Sequence, residues 1–129
     1  MEIYLSKILQ NTTFEIAENL VIDKLKEQGF GVITEIDVQA TFRKKLDIDF
    51  KPYKILGACN PHFAHSALSK NDKIGVMLPC NVCLQQSGEN DVEVFTINPL
   101  TAMQAVNSPD ADELAREVYN KLSKMLESL

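Results

Sequence analysis

The sequence predicts an α+β domain, with helices on one face of a largely antiparallel sheet and elements in the order β-α-β-(β)n-α. Three observations carry this reading. Apolar residues recur at helical spacing in a long segment near each end of the chain. Between these segments lie short runs rich in β-branched residues, broken by turn formers. Good capping residues stand where each helical pattern begins. The 129 residues suit a single domain, 1–129, large enough to fold without a disulfide or a metal.

Residues 2 to 8 alternate weakly, with Ile3 and Leu5 on one side, and read as a first strand. Thr12 with Glu15 forms a capping box that opens a helix. Its stripe is Ile16, Ala17, Leu20, Val21 and Leu25, and Gly29 closes it. Residues 31 to 36 form a second strand. Asp37 caps a short helix with Val38, Phe42 and Leu46 four residues apart. Tyr53 to Ala58 is the next strand, and Asn60-Pro61 starts another helix, since asparagine caps well and proline suits the first turn. Ile74 to Leu78, Val82 to Gln86 and Val92 to Ile97 read as three strands, the last two joined through a hairpin loop at Ser87 to Asp91. Residues 98 to 107 read as a loop passing the sheet edge, with room for a helical turn. Ser108-Pro109-Asp110 opens the final helix, whose buried stripe is Leu114, Val118, Leu122, Met125 and Leu129.

Composition narrows the function classes. With 45% hydrophobic and 24% charged residues the chain reads as globular, and its net charge of −5 argues against nucleic-acid binding. The basic run Arg43-Lys44-Lys45 is flanked by Asp37, Asp47 and Asp49 and reads as a solvated helix face. No apolar run approaches the ~18 residues of a membrane span, so no membrane partner is expected. Three cysteines without an export signal suggest reduced thiols and a cytoplasmic setting. Nucleotide-binding, hydrolase and metalloprotease motifs are absent from the sequence.

All three cysteines fall in two segments, Ile55-Leu56-Gly57-Ala58-Cys59-Asn60-Pro61 and Leu78-Pro79-Cys80-Asn81-Val82-Cys83. Each places a Cys-Asn pair where a strand-like run breaks. These segments, with Gly29-Phe30-Gly31-Val32, Glu35-Ile36-Asp37-Val38 and Ala64-His65, resemble the bacterial and archaeal family known as domain of unknown function 302. The resemblance runs over nearly the whole chain. It implies a curved antiparallel sheet and a homodimer, and it brings no established activity. His65 matches the family pattern, whereas His62 and Cys83 stand outside it.

The residues themselves suggest a shared site, with the Cα atoms of Cys59 and Cys80 within roughly 10 Å, near enough for one pocket. Cys59 precedes a helix start, where a thiolate is favoured. At ~100° per residue, Phe63, Ala64, Ala67 and Leu68 share one helix face, and His62 and His65 point nearly opposite. Cys59, Asn60, His65, Cys80 and Asn81 are therefore candidate ligand-binding residues, for a small ligand or an ion. Cys59, His62, Cys80 and Cys83 form a second candidate set, for zinc or another transition metal. That set requires a turn at residues 80 to 83, because an extended chain would send Cys80 and Cys83 to opposite faces. Two rival readings stand beside ligand binding. One is thiol-redox or sulfur chemistry using Cys59 with Cys80 or Cys83. The other is a structural homodimeric module whose cysteines only pack.

Overall fold

The computed structural model describes residues 2–129. Five strands, β1 (Tyr4–Leu9), β2 (Gly31–Asp37), β3 (Tyr53–Cys59), β4 (Cys80–Gly88) and β5 (Asp91–Ile97), form one antiparallel sheet in the order β1-β5-β4-β3-β2. Helices are α1 (Phe14–Glu27), α2 (Val38–Leu46), α3 (Pro61–Lys70), α4 (Pro99–Ala102) and α5 (Pro109–Glu127). The α+β reading holds.

Strand alternation divides the sheet into two faces. Leu56, Ala58, Val82, Leu84, Val92 and Val94 point to one side, where α1 offers Ala17, Val21 and Leu25 and α5 offers Val118, Leu122 and Met125. This is the core, and most of these side chains are fully sealed from solvent. The other face is lined by the paired positions Ile55, Cys83 and Phe95, and by Tyr4 beside them on β1. Aromatic contacts, edge-on except for the tilted Phe50–Tyr53 pair, run there from Phe42 of α2 through Phe50 and Tyr53 to Phe95 and Tyr4. Lys54 ties α1 to β2 by reaching Glu18 at 3.1 Å and Glu35 at 2.8 Å. The basic run on α2 is solvated as expected, with Arg43 held by Asp49 at 3.0 Å.

Several expectations need correction. The cap of α1 is Thr13, whose Oγ1 accepts from the Ile16 N–H at 3.2 Å, while the Thr12 N–H bonds to the Asn90 carbonyl. The helix therefore begins one residue later than the Thr12–Glu15 box implies, and Ile16 of the anticipated stripe is exposed. The strand expected at Ile74 to Leu78 is a 3-10 helix, Asp72–Met77. Asn71 caps it by accepting from the Lys73 N–H, and Val76, 88% exposed, gains nothing from a sheet position. Cys80 thus opens β4, with Leu78-Pro79 (a cis peptide) leading into it. Residues 98 to 107 contain α4 and a second 3-10 helix, Met103–Val106. Asn98 organises them, its Oδ1 accepting from the Leu100 N–H and its Nδ2 donating to the Glu2 carbonyl.

Candidate functional site

The first Cys-Asn pair marks the passage from β3 to α3. Asn60 is buried, and its Oδ1 accepts from the backbone N–H groups of His62 at 3.2 Å and Phe63 at 3.4 Å. Proline at the first helical position completes a strong start signal. Gly29, at φ 84°, leaves room for this cap, since a Cβ there would lie 2.9 Å from Asn60 Nδ2. Across the sheet Ala58 is paired directly with Cys80. Facing residues stand at most about 5.5 Å apart and consecutive ones about 3.8 Å, so the Cα atoms of Cys59 and Cys80 lie within ~9.5 Å. The two cysteines come together as anticipated.

They meet on the wall of a cavity of about 340 Å³ between the ends of β3 and β4, α3 and α5. Phe63, Ala64, Ala67 and Leu68 supply the α3 wall, Leu114, Ala115 and Val118 the α5 wall, and Pro99 and Met103 one end. Among the described residues no charged side chain lines this space, and Asn60 is the only amide on its wall. Burial pushes the Cys80 thiol up to about 11, with nearby Cys59 adding to the effect. At neutral pH Cys80 is a protonated, weakly nucleophilic thiol.

The other candidates lie elsewhere. Asn81 and Cys83 line a groove of about 470 Å³ on the opposite face, with Tyr4, Met77 and Phe95. Leu78 and Pro79 belong to both spaces and divide them. The Asn81 carbonyl accepts a hydrogen bond from Thr96 Oγ1 at 3.1 Å, while its side chain is exposed. Burial also raises the Cys83 thiol, opposed by a hydrogen bond with the Tyr53 hydroxyl. His62 and His65 are exposed and line neither space, as expected from their position opposite Phe63 and Ala67.

The four-residue metal set of Cys59, His62, Cys80 and Cys83 does not assemble. Residues 80 to 83 are extended within β4, so alternation separates Cys80 from Cys83. Among the described residues no three His, Cys, Asp or Glu side chains cluster to hold a metal. Five expected ligand-binding residues thus reduce to three on one cavity: Cys59, Asn60 and Cys80. The sequence reading missed Met103, Pro99 and the α5 wall as site residues. The apolar spacing at Leu114 and Val118 was visible there, but nothing in it marked an unfilled space. The α3 wall was legible, because its four apolar residues share one helical face.

The comparisons agree with this architecture. A crystal structure of an uncharacterized conserved DUF302 protein from Bacillus stearothermophilus has 25% sequence identity and a TM-score of 0.89, covering 98% of each chain. No curated protein matches. The family model for Domain of unknown function DUF302 matches residues 6–129, so the chain belongs to the DUF302 family.

Proposed function

We propose that this domain binds a small, neutral, mostly apolar molecule in the cavity walled by β3, β4, α3 and α5. The observation that carries the reading is a space of about 340 Å³ without a charged lining residue. That volume lies within the ordinary range for small-molecule sites, roughly 300–1,000 Å³. An ionised ligand would lose its hydration there without a counter-charge, which is costly. Asn60 is the polar group available to orient a ligand, and Cys59 and Cys80 present polarisable sulfur.

Ligand binding ranks above thiol-redox chemistry for a physical reason. Cys80, buried and protonated, is a poor attacking thiol, and Cys83 lines a different space from the one that Cys59 lines. The three thiols are unpaired, which suits a reducing, cytoplasmic setting, and among the described residues no helix is long and apolar enough to cross a membrane. The neutral fluorophore N-phenyl-1-naphthylamine tests the reading. Its emission should rise on mixing with native protein, and Ala64→Phe, which fills the cavity from α3, should weaken binding at least about tenfold. No emission change with wild type, or full binding by the filled variant, would overturn the proposal.

A second reading concerns assembly and is favoured by a separate observation. Ile3, Tyr4, Ile8 and Ile36 are between 44% and 68% exposed, on or beside the uncovered sheet face. We propose that two copies pair through this face, giving a homodimer. Sedimentation should report a dimer that Ile8→Lys dissociates, and a wild-type monomer at micromolar concentration would reject the pairing.

A further inference from the structure

Asn60 is only 8% exposed, and one end of its amide is fully committed. Its Oδ1 accepts from the backbone N–H groups of His62 and Phe63, so both lone pairs of that oxygen are engaged at the start of α3. Two donors at that end require the oxygen there, which fixes the orientation of the amide and turns Nδ2 away from them. Nδ2 carries two N–H donors and has no hydrogen-bond partner among the described residues. No fully buried side-chain nitrogen or oxygen among those residues lacks a partner, so Nδ2 reaches open space. The space that Asn60 lines is the cavity. Gly29, lacking a Cβ, leaves the nitrogen uncovered on its side. Of the side chains on the cavity wall, Asn60 alone carries nitrogen or oxygen. The wall therefore offers a strong donor and no strong side-chain acceptor, since Oδ1 is occupied and sulfur accepts weakly.

We propose that the cavity selects neutral, mostly apolar molecules bearing a hydrogen-bond acceptor, such as a ketone, aldehyde, ester or ether oxygen, which accepts from Asn60 Nδ2. The inference rests on the apolar-cavity reading and narrows it to a ligand class. An acceptor oxygen gives up its water on entry, and the Nδ2 donor takes the place of that water. A hydrocarbon of the same shape fills the space and leaves Nδ2 unpaired, at a cost to the site. A molecule that only donates finds no strong acceptor among the lining side chains. Asn60 thus serves at both ends. Its Oδ1 caps α3, and the same two bonds hold the amide in place so that Nδ2 presents its donors in a fixed direction.

Two planar naphthalenes test the proposal on the full chain by displacement of N-phenyl-1-naphthylamine. 2-Acetylnaphthalene carries C=O where 2-isopropenylnaphthalene carries C=CH2, so the pair differs in the acceptor alone. The preference for ketone over hydrocarbon is the quantity read, because the hydration of the two probes is the same for every variant. Asn60→Asp keeps an oxygen to cap α3 and puts an acceptor in place of the donor nitrogen. It should lower the preference at least about tenfold, as a site that loses its matching hydrogen bond does. Asn60→Ser, a second good cap without the amide nitrogen, should lower it in the same direction, and decides alone if Asn60→Asp fails to fold. Displacement by both probes, with a preference that both variants leave unchanged, overturns the acceptor role alone. Failure of the fluorophore and both probes to bind wild type overturns the cavity reading along with it.

Discussion

Cys80 and Asn81 are neighbours in the chain, yet they face two different kinds of surface. Cys80 looks into the space beneath α3 and α5, closed by helices and free of charge. Asn81 looks onto the bare face of the sheet, where Tyr4, Phe95 and Met77 form a shallow groove. A strand turns each successive side chain to the opposite face, so register decides which residues share a site. Adjacency in sequence does not. The covered side carries the sealed core, and the bare side leaves large apolar residues such as Tyr4 and Ile36 exposed.

The comparison is broken most severely on the covered side. Leu56→Ala removes a fully buried side chain beneath α1 and α5, and should cost about 3 kcal/mol in urea unfolding. On the bare side Ile36→Ala, at a position 49% exposed, should change the stability of the monomer by less than ~0.5 kcal/mol. Comparable losses at both positions would erase the distinction.

The partition between the two spaces rests on a glycine. A Cβ at Gly57 would fall onto the Thr34 side chain and lie 2.8 Å from Pro79 Cγ. Gly57→Val should therefore push the Leu78-Pro79 wall aside and cost about 2 kcal/mol, measured by the same unfolding experiment. Retained wild-type stability would mean that the wall yields freely.

Alkaline pH probes the covered side alone. The Cys80 thiol moves from an ordinary 9.0 to about 11 on folding, chiefly because its thiolate would be desolvated. Above 9.0 the unfolded chain releases this proton while the native protein keeps it, so the contribution is complete below 9.0 and is lost as pH rises towards about 11. The loss should approach about 2 kcal/mol and be absent from Cys80→Ala. Cys83, also raised by burial, acts with the same sign, so the difference between wild type and variant is the quantity to measure. A pH dependence identical in both would contradict the burial of Cys80.

The smallest effect sits at the helix start. Asn60→Ala deletes the cap of α3 and should cost about 1 kcal/mol in thermal or urea unfolding. A neutral substitution would show that Pro61 alone fixes the turn.

Much of this fold was legible in the sequence where local signals agreed. Asn60-Pro61 and Ser108-Pro109-Asp110 announced α3 and α5, and the stripe Val118, Leu122 and Met125 named the surface that α5 buries. The failures have a common origin in cues that only tertiary structure resolves. Ile74-Gly75-Val76-Met77-Leu78 has strand composition, but it follows the Asn71 cap, and residues up to Met77 wind into a 3-10 helix. That error moved the start of β4 and made Cys80 an end where it is a beginning. Cys59 and Cys80 could be paired from their matching contexts, and the division of Asn81 from Cys80 followed only once register was known. Met103 carried no sequence signal at all, since its role depends on which residues close a cavity.

The central claim, that the helix-covered cavity and not the bare groove is the binding site, is tested most directly by residue-resolved NMR. Native protein is titrated with a neutral apolar probe such as cyclohexanol. The account predicts saturable methyl shifts at Ala64, Ala67, Met103, Leu114 and Val118, with Ile3, Val76 and Ile97 unmoved. Shifts confined to Ile3, Val76 and Ile97, or no saturable shift anywhere, would contradict it.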